Sequence, residues 1–228
     1  MEWLSGVKQQ FVFNIIEGER YKMLLSGLEI TVVVALGAAV LGVILGCFVA
    51  LMRISKSKVL NGIASVYVDV IRGTPAVVQL MIMYYVIMCT YAGPKEIIAI
   101  LSFGINSGAY VSEMIRGGIL AVDAGQTEAG RSLGLSAGAT MRLIVLPQAF
   151  KIALPSLFNE FISLLKETSV CGFIGLMDLT KAGDYIRSRT YSAFFPLITV
   201  AIIYLIIVIG LTRLFEAIEK GVRQGDSH

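Results

Sequence analysis

Charge is scarce in this sequence, and the places where it is missing are long. Of 228 residues only 15% are Asp, Glu, Lys or Arg, against roughly 25% in a soluble domain, and the mean hydropathy is +0.79. Residues 30–52, 73–94 and 190–212 contain no charge at all, each over 22 or 23 positions. A bilayer core takes about 20 predominantly apolar residues in a helix, so each stretch is long enough to cross one. Two weaker stretches, 97–122 and 147–166, have the length but carry internal charges. The expectation is an all-α integral membrane protein with five transmembrane helices, one transmembrane domain over residues 1–228.

Other shortages exclude functions. Histidine occurs once, as His228 at the very end, so it says nothing about catalysis. Cys47, Cys89 and Cys171 are odd in number, have no metal-ligand spacing, and read as inert packing residues in or beside apolar segments. No G-x-x-x-x-G-K-[ST] loop is present, so the chain does not bind ATP through a P-loop. No H-E-x-x-H or Cys/His cluster suggests enzymatic chemistry, which argues against an enzyme and against a metal or other cofactor in this chain. A net charge of +3 is too small to point to nucleic acid. The first twenty residues hold Lys8, Gln9, Gln10, Asn14, Glu17, Glu19 and Arg20, which leaves no apolar core for a signal peptide. Residues 7–16 read either as a short amphipathic helix along the membrane surface or as a frayed polar terminus.

The polar interruption between the third and fourth apolar stretches is the most specific feature. From Asp123 to Leu146, Glu128, Arg131, Ser132, Ser136 and Arg142 alternate with Ala129, Leu133, Leu135, Ala139, Met141 and Leu143. That mixture is too polar to span a membrane and too apolar for a solvated linker. Two short helices bent at Gly134 fit it, because glycine takes a sharply turned or left-handed backbone at little steric cost. Such a pair presents an apolar face and a few charges to a groove on a partner. The spacing is Glu128-Ala129-Gly130, three residues, Gly134, nine residues, then Ile144-Val145-Leu146-Pro147. It resembles the EAA signature of importer-type ABC transporter permeases, with Gly130 where the family usually has a second alanine. The resemblance implies that 123–146 is a cytoplasmic coupling loop docking onto a separate ATPase, through Glu128, Ala129, Gly130, Arg131, Gly134 and Leu135.

Lys and Arg number nine on the side of that loop and seven on the other. This bias favours an outside N-terminus and a cytoplasmic C-terminus, the topology that the resemblance also implies.

The remaining signals lie within the apolar stretches. Gly37, Gly42 and Gly46 recur along the first, a seam on which another helix can approach closely. The second is broken by Arg72-Gly73-Thr74-Pro75, with Thr74 and Pro75 expected as N-cap and first-turn residue of the resumed helix. Asp69 and Arg72, three apart, suit a local ion pair, and direct substrate contact is the alternative. The stretch from Asp69 to Pro75 resembles the RGTP element of polar amino acid permeases. The third span carries Glu113 and Arg116 on one helix face, which has to look into protein or water. Glu113 either ligates a substrate ammonium or neutralises Arg116. In the fourth, Asn159, Ser163 and Lys166 or Glu167 share one stripe, near Glu160. Lys166-Glu167-Thr168-Ser169 resembles the Lys-Asp-Thr-Ser element of the same permeases. This polar stripe reads as translocation path or as a seam between two permease subunits. A short outer helix and loop over 171–189 precedes a last span at 191–214.

The resemblance covers about residues 26–218. It implies the permease subunit of an ATP-driven importer of polar amino acids in a bacterial inner membrane, working by alternating access. The implied partners are a second permease copy or paralogue, two ATPase subunits that bind ATP and Mg, and an extracytoplasmic amino-acid-binding protein. The implied substrate-pathway residues are Arg72, Thr74, Glu113, Arg116, Asn159, Glu160, Lys166, Glu167 and Thr168. The alternatives are an ion-coupled secondary transporter or channel that uses Glu113 or Glu160 without an ATPase, and a membrane scaffold that moves nothing.

Overall fold

The computed structural model describes residues 2–224, with side chains from 6 to 222. His228 and the side chain of Arg223 lie outside the described residues. Among these, all regular structure is helical: α1 Glu2–Phe11, α2 Arg20–Ile54, α3 Lys58–Arg72, α4 Ala76–Ile82, α5 Lys95–Leu120, α6 Ala124–Ser132, α7 Ala137–Thr140, α8 Leu146–Glu167, α9 Leu179–Thr190 and α10 Phe194–Gln224. Single π-helical stretches follow α1, α4 and α7, and a 3-10 stretch, Thr168–Ile174, follows α8. Among the described residues, four helical stretches are long and apolar enough to cross a membrane. They become five if Lys58–Arg72 and Ala76–Ile87, bent at their break, form one broken span.

By its contacts the chain divides into two compact units. One comprises the chain up to Ala38, Pro75–Phe103 and Ser163–Leu211; the other comprises Ala39–Thr74, Gly104–Ile162 and the chain from Thr212.

The first unit has a core of Ile15, Leu24, Leu179, Ala182, Ile186 and Val200. Residues 7–16 are helical, with Asn14 and Ile15 buried, so that segment is packed and not frayed. Asp178, fully buried, caps α9 by accepting from the backbone N–H groups of Thr180 and Lys181. Burial pushes its carboxyl up to about 6, against the pull of those hydrogen bonds. The next N–H, that of Leu179, donates to Thr31 Oγ1 at 3.1 Å. Here α2 approaches so closely that a Cβ on Gly27 would lie 2.8 Å from the Asp178 carbonyl oxygen. Tyr191, expected to open the last span, instead ends α9 in a left-handed conformation at φ 52° and is 97% exposed. The final helix starts three residues later, with Pro196 in its first turn, where a missing N–H has no helical partner to lose.

In the second unit the glycine seam packs as its spacing implied. A Cβ on Gly42 would lie 2.9 Å from Ser107, and one on Gly46 would collide with Val111, so α2 meets α5 along this face. Tyr67 of α3 donates its hydroxyl to the Ile105 carbonyl of α5 at 2.6 Å. On α8, Ala149 comes so near α5 that a Cβ on Gly118 would lie 2.6 Å from its carbonyl oxygen. Phe158 of α8 stacks on Phe215 of α10 at 4.2 Å.

Two expectations at the broken span are corrected. Thr74 does not cap the resumed helix: Pro75 occupies the N-cap, and the Thr74 hydroxyl donates to the Val70 carbonyl at 2.9 Å. The last carbonyls of α3 lack helical partners, and this hydroxyl reaches one of them. Arg72 turns to Glu113 of α5 and away from Asp69. The cysteines also differ from expectation: only Cys171 is buried, and Cys47 and Cys89 are exposed.

Candidate functional site: a docking turn and an arginine-ringed carboxylate

The polar interruption folds as two short helices around one tight turn. Asp123 caps α6, accepting from the Gly125 N–H at 2.7 Å. The helix ends at Leu133, and Gly134 follows with φ +84°. The Gly134 N–H donates to the Arg131 carbonyl at 3.1 Å, and the Leu135 N–H donates to the Gly130 carbonyl at 3.1 Å. This pair of bonds around a left-handed glycine is a Schellman motif. The Arg131 guanidinium adds a third contact, donating to the Leu135 carbonyl at 2.6 Å. Ser136 then caps α7, its hydroxyl accepting from the Ala139 N–H at 3.2 Å.

This geometry sorts the coupling candidates. Glu128, Ala129 and Arg131 are exposed on α6, Gly134 is the turn itself, and Leu135 is half-buried. Gly130 is buried: a Cβ there would lie 2.8 Å from Ile144 Cδ1 and 2.9 Å from Thr140 Cγ2. Thr140 and Ile144 thus fill the space that a side chain at position 130 would need. Leu133, 82% exposed, and Leu143, 63% exposed, stand out on the same segment as apolar side chains without cover. Their exposure could be suspected from the alternating pattern, but which apolar residues face outward depends on the fold. Gln148 of α8 donates to Gln126 Oε1 at 3.2 Å, so α6 is tied to the start of the next long helix.

A second feature of the same unit centres on Glu113. Arg116 holds it bidentately, Nε to Oε1 at 3.1 Å and Nη2 to Oε2 at 2.8 Å. Arg53, from the last turn of α2, lies 3.2 Å from Oε1. Arg72, from the last turn of α3, lies 3.9 Å from Oε2. One carboxylate thus faces three guanidinium groups, leaving a formal excess of two positive charges. Arg53 and Glu113 side chains are 17% and 18% exposed, whereas Arg72 is 44% exposed and lies over the Tyr110 ring at 5.2 Å. Of the two roles open to Glu113, this arrangement favours the counter-ion, because both its oxygens are engaged by arginine. Arg53 and Glu113 lie sixty positions apart, and no periodicity links them.

The other pathway candidates are spread along the chain. Glu160 is half-buried and accepts from the Ser107 hydroxyl at 2.9 Å. Asn159 of the second unit, and Lys166 and Glu167 of the first, are exposed on α8, while Thr74 is exposed beside the helix break. Thr168 is fully buried, with its hydroxyl donating to the Leu165 carbonyl at 2.8 Å; in this conformation it closes the end of α8 and offers no open surface. Among the described residues no group of three or more His, Cys, Asp or Glu is arranged to hold a metal ion.

Comparison with known proteins adds independent evidence. Residues 42–224 match the family described as binding-protein-dependent transport system inner membrane component. The arginine transport system permease protein ArtQ of Bacillus subtilis is 38% identical over 205 residues, covering 89% of this chain and 94% of that protein. A putative glutamine transport system permease protein GlnP of Rickettsia bellii is 39% identical over 205 residues, covering 86% of this chain and 91% of that one. A crystal structure of an amino acid ABC transporter superimposes with a TM-score of 0.83 at 40% identity, covering 95% of this chain and 97% of that chain. With apolar spans and relatives matched over nearly their whole length, this chain belongs to the binding-protein-dependent transport system inner membrane components and is the permease subunit of an ABC transporter.

Proposed function

We propose that the chain forms the membrane pathway of an ATP-driven importer of polar amino acids, working as a homodimer or beside a close paralogue. Two separate ATPase chains carry ATP and Mg, and an extracytoplasmic binding protein delivers the solute. The observation that carries this reading is the Schellman turn at Gly134, which holds Glu128, Ala129, Arg131 and the exposed Leu133 and Leu143 on one short segment. A rigid turn with an uncovered apolar side chain at its tip suits a groove on a partner. Nucleotide-driven closure of two ATPases is passed through such a contact to α5 and α8, the long helices on either side of it. Residues 123–146 are then the cytoplasmic coupling loop within a single permease domain, the N-terminus lies outside and the C-terminus inside.

The substrate class rests on the names of the relatives and on charge. The excess positive charge around Glu113 suits a solute carboxylate, with Arg72 and Arg116 as the more exposed of the three guanidinium groups. Glu160, Glu167, Asn159 and Lys166 supply further polar groups for the amino-acid end, and Thr74 borders the helix break. The deciding experiment measures ATP hydrolysis by the permease with its ATPase in lipid nanodiscs, titrated with binding protein and with L-arginine, L-glutamine and L-cystine. Stimulation by one of them supports the importer and names its class. Uptake into vesicles that persists without ATP or ATPase overturns the reading in favour of an ion-coupled carrier.

A further inference from the structure

A groove of about 250 Å³ lies within the second unit between α2, α5 and α8, lined by none of the residues of the coupling turn or the Glu113 cluster. Its floor is Val111, Ile115 and Ile119, one stripe of α5 at four-residue spacing. Val43 and Cys47 of α2 form one wall, and Leu146, Phe150 and Leu157 of α8 form the other. Glycine makes the groove: Gly46 lets α2 press onto Val111, and Gly118 admits the Ala149 carbonyl of α8. Both helices therefore sit low on α5 and leave a trough over its apolar stripe. Around the α5 axis, Glu113 lies about 160° and Arg116 about 100° from Ile115, so the charged face of this helix is turned away from the trough. Val43 and Phe150 are 47% and 57% exposed and Cys47 is exposed too, so the trough opens to the surroundings of the unit.

Its dimensions select an occupant. From Ile119 to Val111 on α5, and from Leu146 to Leu157 on α8, the lining runs about 12–16 Å at 1.5 Å per residue. That is one leaflet of a hydrocarbon core about 30 Å thick. Volume over length gives a column about 5 Å wide, the thickness of one hydrocarbon chain whose carbons sit about 4 Å from their neighbours. A helix, about 10–12 Å across with its side chains, does not enter it. Ile119 and Leu146 mark its mouth, at the ends of α5 and α8 that flank the coupling loop. Charge at this end is mostly positive. Arg142, exposed, stands one turn before Leu146, and exposed Lys56 and Lys58 follow α2, while Asp123 is engaged in capping α6.

We propose that this groove is a binding site for an anionic phospholipid of the cytoplasmic leaflet. One acyl chain lies along Val111, Ile115 and Ile119 between α2 and α8, and the phosphate meets Arg142 at the mouth. A guanidinium suits a phosphate because it offers several N–H donors in a fixed plane. The bound chain fills the space between α2 and the coupling-loop end of α8, so lipid becomes part of the packing that supports the docking turn. The inference rests on the topology proposed above, which puts the coupling loop in the cytoplasm; it does not depend on which solute is carried.

The test uses the complete permease–ATPase complex in phosphatidylcholine nanodiscs. Trace phosphatidylglycerol or phosphatidylcholine, each with a mid-chain diazirine, is photolysed and its insertion mapped by peptide mass spectrometry. Ile206 of α10, 64% exposed, serves as the reference for ordinary bilayer contact. Insertion at Ile115 and Phe150 is expected to be about fivefold higher with the phosphatidylglycerol probe, the preference that one arginine near anionic lipid confers, with no such difference at Ile206. Arg142→Gln is expected to remove that preference. Cys47→Trp and, separately, Val43→Trp fill the trough from exposed positions and are expected to abolish insertion at Ile115 and Phe150 with both probes. Unchanged labelling at Ile206 and unchanged solute-stimulated ATP hydrolysis show that these variants fold. Equal head-group ratios at Ile115 and Ile206, or insertion unaffected by both tryptophans, overturn the site, because the groove then holds ordinary bilayer lipid. No insertion at Ile115 and Phe150 in the assembled complex also overturns it, because a second permease copy then covers the groove. Topology is checked apart from this, by an impermeant maleimide on Ser132→Cys in sealed vesicles with C47S and C89S. Labelling from the side opposite the ATPase overturns the leaflet assignment together with the topology, while the groove result stands or falls by itself.

Discussion

Gly134 carries the docking turn at φ +84° with nothing within 4 Å of the place where its Cβ would be. A side chain here meets no neighbour, so the whole effect of a substitution comes from the backbone. An L-residue held in the left-handed region costs about 1–2 kcal/mol, and a β-branched one more, while asparagine visits this region readily. The chain can escape the strain by unwinding the turn, which gives up the Gly134 and Leu135 backbone hydrogen bonds to Arg131 and Gly130. Alanine is therefore expected to reduce the docking-competent population about 5- to 30-fold, and the apparent affinity for the ATPase by the same factor. Valine is expected to lose more, and asparagine to stay close to glycine. Each variant is assayed in nanodiscs for ATPase binding and for solute-stimulated ATP hydrolysis, with expression and insertion unchanged. Valine behaving like glycine would refute the reasoning. Asparagine as damaging as valine would refute it too, because the effect would then follow side-chain bulk and not φ.

Gly130 is constrained by space instead. Gly130→Ala is expected to lower the thermal midpoint, and Ile144→Val with Thr140→Ser to restore part of it by removing the two nearest of the three atoms the Cβ would meet; no recovery in the triple variant counts against that packing. Glu113→Gln leaves three guanidinium groups facing one another, with an expected loss of about 3 kcal/mol, the low end for breaking a buried pair, because Arg72 is 44% exposed. Adding Arg53→Gln should return part of that stability in a double-mutant cycle, and strict additivity would disprove the coupling. Asp178 has a folded pKa of about 6, above an unfolded value of about 3.9, so the folded chain holds its proton more tightly. The stability this group contributes is complete below about pH 4 and is lost as pH rises through about 6, a change of about 3 kcal/mol. Asp178→Asn, which keeps a side-chain oxygen for the cap, should flatten that part of the thermal profile; an unchanged slope would show that another group sets it.

Much of this protein was legible in one dimension because a bilayer imposes one-dimensional rules. A crossing helix needs about 20 apolar residues whatever surrounds it, so the uncharged stretches announce spans, and the polar segment between two spans stands out by contrast. Backbone chemistry is equally local: a glycine beyond the last turn of a short helix predicts the left-handed turn found at Gly134. Element ends were less legible, since Tyr191 ends α9 in a left-handed conformation and Thr74 serves the helix before it. Pairings across the chain were decided by tertiary structure alone. Asp69 and Arg72 have the right spacing for an ion pair, yet α3 and α5 pack so that Arg72 pairs with Glu113, joined there by Arg53 from sixty positions away. Likewise Lys181, Asp184 and Arg187 share a helix face by periodicity, but only tertiary structure sets Phe173, Leu197 and Gly172 beside that face and encloses a cavity there.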